Sequence, residues 1–311
     1  METLHLTYPL EADHPFPPTT LAIGYFDGVH RGHQAVIAQA RRLAEKHGAV
    51  LGVMTFHPHP REVLGKGEMS QYLTPLPEKL KQFERLGVER TYVMRFDRDF
   101  ADLTEKAFVN EVLLPLQVKG TAVGFNFTFG RGAAGKAQDL VRLGTGLFDV
   151  EVVKPIHSDG LPLSSTRLRQ ALAKGDVEEA RKILGRHYTV RGRVVQGDQR
   201  GRKIGYPTAN LSLDGPYHIP AYGVYIVQVE GAGKPRYGVM NIGVRPTFHD
   251  PEPRLSLEVH LLDTQENLYG RTLQVAFLRF LRPEKRFDSV TELVGQIRAD
   301  ERQAREWLKG R

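Results

Sequence analysis

What most constrains this chain is a change of pattern near residue 185. Before that point, apolar runs alternate with amphipathic stretches. Residues 19–26 (TTLAIGYF) read as a strand ended by the turn signal of Asp27 and Gly28. Ala35, Val36, Ala40, Leu43 and Ala44 then recur at helical spacing, with Gly48 as the stop. Residues 49–56 (AVLGVMTF) form a continuous apolar run, as expected of a strand covered on both faces. Thr74 and Pro75 open a helix that runs to Leu86 and stops at Gly87. Residues 88–96 and 118–125 read as strands, and residues 104–114 as the helix between them. Strands joined by helical crossovers imply an α/β unit with a parallel, doubly wound sheet.

After residue 185 the crossovers disappear. Residues 188–195, 224–229, 237–242, 255–261 and 273–280 are short strands separated by Gly, Pro or Asp turns. Such a series predicts an antiparallel sheet or small β-barrel, followed by a final helix over 290–308 that carries Leu293, Ile297, Ala304 and Leu308 on an inner stripe. At roughly 150 residues per domain, a length of 311 accommodates both halves, with domains expected at 1–185 and 186–311. With 25% charged and 41% hydrophobic residues, the composition argues against disordered, fibrous and membrane proteins. The chain has no cysteine, which excludes disulfides, cysteine-ligated zinc and a cysteine nucleophile.

Chemistry is suggested first where the first strand meets the first helix, in Gly24-Tyr-Phe-Asp-Gly-Val-His30-Arg-Gly-His33. In an open α/β sheet, ligands bind beyond the carboxyl ends of strands. Glycines admit close approach of backbone, and a helix N-terminus favours anions. Gly24, Phe26, Asp27 and Gly28 lie in this segment, and His30 and His33 can face one ligand; read alone, the two histidines are equally capping or surface residues. A second anion site is suggested by Leu163-Ser-Ser165-Thr166-Arg-Leu-Arg169, which gathers hydroxyls and a guanidinium at a helix start. By itself that segment is also an ordinary N-cap.

Together, the paired histidines at one helix start and Ser-Ser-Thr-x-x-Arg at a later one resemble the HxGH nucleotidyltransferase superfamily. The resemblance implies that both elements hold the triphosphate of ATP. Two further segments follow strands: Thr55-Phe56-His-Pro58-His-Pro60, and Val123-Gly-Phe125-Asn126-Phe-Thr-Phe-Gly130. Their order resembles the adenylyltransferase half of the prokaryotic bifunctional riboflavin kinase/FAD synthetases. In that family the position of Asn126 is often acidic, and residues 130–136 (GRGAAGK) depart from the usual turn.

The second half carries Gly197-Asp-Gln-Arg-Gly201-Arg-Lys203-Ile-Gly-Tyr-Pro207-Thr208-Ala-Asn210. It is not a Walker A loop, because no Gly-Lys-Ser/Thr follows the glycines. Thr208 and Asn210 are one residue apart, so on extended backbone both oxygens point the same way and can reach one Mg²⁺. Glu258 sits among leucines and valine; facing solvent it would be only the outer member of its strand, and facing a site it could take the proton of an alcohol. The motifs PTAN, GVY, NIGVRPTF, LEVHL and LYG resemble the riboflavin kinase module, in the same order.

This double resemblance implies a Rossmann-like nucleotidyltransferase domain followed by the kinase barrel. The barrel would phosphorylate riboflavin to FMN with ATP, and the first domain would join FMN to AMP from a second ATP, giving FAD and pyrophosphate. It implies Thr208 and Asn210 as Mg²⁺ ligands, Glu258 as base, and Gly201 and Lys203 on ATP phosphates. In the first domain it implies His30, His33 and Arg169 in catalysis, with Gly24, Phe26, Asp27, Gly28, Asn126, Ser165 and Thr166 at ATP. Phe56, Pro58, Phe125, Asn241 and Arg245 would contact the flavin.

Two other readings compete. One is an adenylyltransferase for a different phosphate, with the barrel as accessory. The other is a nucleic-acid-binding barrel, suggested by the net charge of +7 and by the cations from Arg181 to Lys203. That stretch and the residues just after it have only Tyr188 and Tyr206 as aromatic platforms, which suits a nucleotide better than a strand of nucleic acid. The start has no basic and apolar leader, and no apolar run reaches 18 residues, so a cytoplasmic enzyme without membrane or nucleic-acid partners, monomeric or weakly self-associating, is expected.

Overall fold

The computed structural model describes residues 1–11, 16–65, 71–197, 204–231, 233–245, 254–264 and 266–310. Two compact units, Met1–Ser165 and Thr166–Arg311, divide the chain.

The first unit is built on six parallel strands: β1 (Glu2–Leu6), β2 (Thr19–Ile23), β3 (Val50–His57), β4 (Arg90–Arg95), β5 (Val118–Gly124) and β6 (Asp149–Val153). Their order is β1-β4-β3-β2-β5-β6. The sheet is covered on both faces, as the periodicity predicts. Leu21 and Ile23 of β2 join one apolar cluster with Met54, Tyr92, Met94 and Phe108. Ala22, between them, joins a second with Val53, Phe83 and α1 (Arg31–His47), which buries Val36, Ile37, Ala40 and Ala44. Gly48 ends α1 in the left-handed region, at φ +58°, and donates its N–H to the Ala44 carbonyl.

Three differences from the expected elements have physical causes. Strands β1 and β6 escape the sequence pattern because both lie at sheet edges, where half-exposed, alternating residues carry little apolar signal. Helix α2 spans Leu76–Arg85 with Pro75, not Thr74, at its N-cap position and no side-chain cap bond; the Thr74 amide is held by a carboxylate, described below. The helix expected over 104–114 is a short turn, Glu105–Ala107, running into the π-helix Phe108–Leu113. Helix α3 (Ala137–Gly144) precedes β6.

The second unit opens with α4 (Ser165–Ala173), whose first residue belongs to the first unit, and α5 (Val177–Leu184). Six strands follow: β7 (Tyr188–Val195), β8 (Ala209–Leu213), β9 (Gly223–Glu230), β10 (Arg236–Arg245), β11 (Arg254–Leu261) and β12 (Thr272–Pro283). They form a closed antiparallel barrel in the order β7-β8-β11-β10-β9-β12. Strand β8 was not foreseen as a strand: it is five residues long and only Leu211 is fully buried. Buried Val177, Ala180, Ile183 and Leu184 of α5 pack it against β7 and β12. The terminal helix α6 (Val290–Lys309) caps Ile226 and Leu278 with Ala304, Trp307 and Leu308. Its buried Asp300 accepts a forked pair of bonds from Arg282 of β12, Nε to Oδ1 at 2.9 Å and Nη2 to Oδ2 at 2.7 Å. Among the described residues, no helix is long and apolar enough to cross a membrane.

Candidate functional site

In the first unit the strand order turns back at β2, which has β3 on one side and β5 on the other. Such a switch point opens a crevice beyond the carboxyl ends of the strands. The segment 24–33 leaves β2 there, and the segment 125–130 leaves β5 beside it.

The loop after β2 is strained. Phe26 and Val29 hold left-handed φ angles of +57° and +43°, and Gly28 holds +90°. Side chains in that region cost of order 1–3 kcal/mol each, so the surroundings must fix them. Several bonds do so. The buried Asp27 carboxylate accepts the amides of Leu73 (3.2 Å) and Thr74 (3.0 Å). The Asp27 carbonyl accepts the Ser165 hydroxyl at 2.8 Å. The Tyr25 carbonyl accepts both the Thr55 hydroxyl (3.0 Å) and the ammonium of Lys79 (2.7 Å).

The loop delivers His30 to the N-cap of α1, where its Nδ1 accepts the His33 amide at 3.3 Å. A neutral His30 therefore carries its proton on Nε2, as a donor. The two imidazoles stack with centroids 3.6 Å apart, and Phe26 meets His33 edge-on at 5.2 Å. The glycine between them has a reason: a Cβ on Gly32 would lie 3.0 Å from the His30 ring. The first turn of α1 has no acidic residue, so the helix dipole there favours an anion.

The neighbouring segments divide. Phe56 packs into the core against Phe96 and Phe100, at 6.1 and 5.8 Å. Pro58 follows a cis peptide, and His59 caps the short helix Pro60–Val63 while meeting Tyr25 edge-on at 4.1 Å. After β5, Phe125 is 54% exposed at the crevice edge, whereas Phe129 is buried and stacks with Phe127. Asn126 is exposed; the departing segment 130–136 closes a hairpin between Thr128–Phe129 and Gly135–Lys136. In the second unit, Thr166 is exposed and Arg169 half-buried on α4, and Arg167 pairs with Glu179.

The second site lies wholly on the barrel. Register places Glu258 of β11 directly opposite Asn210 of β8 on one side and Asn241 of β10 on the other. Residues paired this way present their side chains on one face, so the three form a polar row across three strands. The half-buried Glu258 accepts the Thr208 hydroxyl at 3.2 Å and the Ser256 hydroxyl at 3.0 Å. It is therefore not a merely solvated strand residue. Gly197 has its own constraint: a Cβ there would lie 2.3 Å from the Asn210 amide nitrogen.

Sequence reasoning passed over three residues here. Ser256 orients Glu258. His260 donates from Nδ1 to the Pro207 carbonyl (2.9 Å) and meets Tyr206 edge-on, holding the approach to Thr208. Lys79, under the first loop, was only a helix residue. For Ser256 and His260, the alternation with apolar Leu257 and Val259 was the available signal. Gly201 and Lys203 lie outside the described residues, as does the side chain of Arg245. Of the basic stretch, Lys182 pairs with Glu179, Arg191 with Asp214, and Arg193 donates to the Gly270 carbonyl. No cluster of three or more His, Cys, Asp or Glu side chains suited to a metal occurs among the described residues.

Comparison with known proteins gives two family matches, FAD synthetase over residues 13–167 and riboflavin kinase over 184–308. The bifunctional riboflavin kinase/FMN adenylyltransferase of Bacillus subtilis is 40% identical over 98% of this chain and 97% of its own. The Escherichia coli K12 protein of the same description is 43% identical over 93% and 92%. A solved structure from Streptococcus pneumoniae, described as a macrolide-efflux protein, is 35% identical, with a TM-score of 0.91 covering 99% of this chain and 100% of that one.

Proposed function

This chain belongs to the bifunctional riboflavin kinase/FMN adenylyltransferases, and from that premise we propose how its residues divide the two reactions. The enzyme phosphorylates riboflavin to FMN with ATP, then adenylylates FMN with a second ATP to give FAD and pyrophosphate.

For the kinase, Glu258 is the general base. It takes the proton of the ribityl hydroxyl as that oxygen attacks the γ-phosphorus and ADP leaves. The observation that carries this is the polar row of Asn210, Glu258 and Asn241, with Thr208 bonded to the same carboxylate. Asn241 and Arg245 are assigned to the flavin, and Gly201 and Lys203 to ATP phosphates, on sequence grounds. Mg²⁺ fits the donor set, because a threonine hydroxyl and an asparagine carbonyl are the neutral oxygen ligands that it accepts beside phosphates and water. Thr208 and Asn210 would hold it, and the ion would neutralise charge on the polyphosphate.

For adenylyl transfer, the nucleophile is already an anion, a phosphate oxygen of FMN, so no base is required. The residues need only hold the triphosphate and neutralise charge as pyrophosphate departs. His30 and His33, the amides around Gly28, Asn126, and Ser165, Thr166 and Arg169 are assigned that task. Phe125, exposed at the crevice edge, is the flavin platform of this unit, and Phe56 and Pro58 are assigned to the flavin on sequence grounds. A cytoplasmic, monomeric or weakly self-associating enzyme completes the reading. Its test is a time course with riboflavin and MgATP, resolving riboflavin, FMN and FAD by chromatography. FMN should rise first and FAD follow; absence of either product would remove the corresponding assignment.

A further inference from the structure

A lysine is seldom buried unless its charge has a partner, and a methionine would fill the same space without desolvation. Yet Lys79 of α2 is 3% exposed, with Nζ 2.7 Å from the Tyr25 carbonyl and 3.9 Å from the centre of the Tyr25 ring. We infer that Lys79 is a positioning residue for adenylyl transfer: its ammonium holds the Tyr25 carbonyl and thereby fixes the strained loop that presents His30 and His33. The inference rests on the reading of that loop as the ATP site.

The loop and α2 are fastened at two points. Asp27 grips the amides of Leu73 and Thr74, just before the helix, and Lys79 reaches back from the helix to Tyr25. Of the left-handed residues, Phe26 lies between the two grips and Val29 between Asp27 and His30. Nothing in their own preferences favours that conformation, so the loop keeps its shape only while its anchors hold. Thr55 supplies a second, neutral donor to the same carbonyl.

Lys79 is faced by Asp27 and Tyr25 from the loop and by His57 from the end of β3; Tyr72 and Glu62 lie behind these. Burial lowers its pKa to about 8, against the opposing attraction of Asp27. Two consequences have opposite signs. From about pH 8 upward the folded protein releases this proton before the unfolded chain does, so the Lys79 contribution to stability rises with pH. The bond to Tyr25 meanwhile loses its charge, so positioning weakens. A merely structural lysine would change stability alone.

The experiment uses the full chain, with FAD formation from FMN and MgATP as readout and riboflavin phosphorylation as the internal control. Lys79→Met should lower the kcat of FAD formation about 10- to 100-fold, the scale of a small misplacement of catalytic groups. Riboflavin phosphorylation should be unaltered. In the native enzyme the ratio of adenylyl transfer to phosphorylation should fall several-fold between roughly pH 7.5 and 9.5, and in Lys79→Met it should stay level. A native ratio constant over that range, or a folded Lys79→Met with full kcat, overturns the inference. If Lys79→Met does not fold, the native ratio and Thr55→Val decide, the latter with a loss of a few-fold expected and no loss counting against the inference. His30→Ala is run in parallel: if it abolishes FAD formation while Lys79→Met does not, only the Lys79 inference fails, and if neither matters the loop is not the ATP site.

Discussion

The two proposed sites would meet their phosphates with different parts of the chain. In the first unit the site is a loop: backbone amides, a helix start and two stacked imidazoles, all shaped by left-handed residues that buried bonds hold in place. In the barrel the site is a strand face, where Asn210, Glu258 and Asn241 align because antiparallel register leaves them no other direction. A loop site depends on its anchors, and distant substitutions should disturb it. A strand site is rigid by construction, and its function should reside in the few side chains that face outward.

The sharpest way to break this comparison is Glu258→Gln. It should remove about 10²- to 10⁴-fold of riboflavin phosphorylation, the usual worth of a positioned general base. Flavin binding and FAD formation from supplied FMN should persist; near-normal phosphorylation would leave the row without its central residue.

The two histidines come next, and the structure separates them. Each replaced by alanine should slow FAD formation about 10- to 1000-fold, as for a lost charge-stabilising donor, with FMN formation normal. His30, however, is 5% exposed and caps α1, so His30→Ala should also lower stability by about 1 kcal/mol. His30→Asn supplies a capping oxygen and should recover the stability without the rate. Paired melting curves and single-turnover rates distinguish these outcomes.

Smaller effects test the units themselves. A fragment starting at Arg186 should make FMN and no FAD. One starting at Thr166 should do the same with a melting midpoint several degrees higher, because α5 buries Val177, Ala180, Ile183 and Leu184 against the barrel. Equal midpoints would mean that α4 and α5 add nothing to the barrel. Last, Ser256→Ala removes one hydroxyl that orients the Glu258 carboxylate. The kcat of riboflavin phosphorylation should fall a few-fold, with FAD formation unchanged; a full kcat would make Ser256 a packing residue only.

Much of this molecule was written locally. The parallel sheet and the barrel follow from hydrophobic period and the spacing of turns, and Gly48 ends α1 because a left-handed residue there suits glycine. The four inner strands of the first sheet are legible for the same reason that its edges are not: burial on both faces leaves an apolar run, while β1 and β6 need only one apolar face. Local order also determined that histidines and hydroxyls begin helices, and that Thr208 and Asn210 share a direction on extended backbone.

Whether Glu258 meets anything was not local. Its neighbours in sequence are apolar, and its partners Asn210 and Asn241 arrive from two separate strands earlier in the chain, so only closure of the barrel in this register brings the row together. The same holds for Lys79, whose helix spacing reads as an ordinary amphipathic position. Its meaning lies in a carbonyl 54 residues earlier, which reaches it only because β2 lies inside the sheet and α2 packs over the loop that leaves it. Period and turn chemistry act between near neighbours, so the sequence determined the elements; hydrogen bonds between distant residues require the finished packing, so the tertiary structure decided which side chains work together.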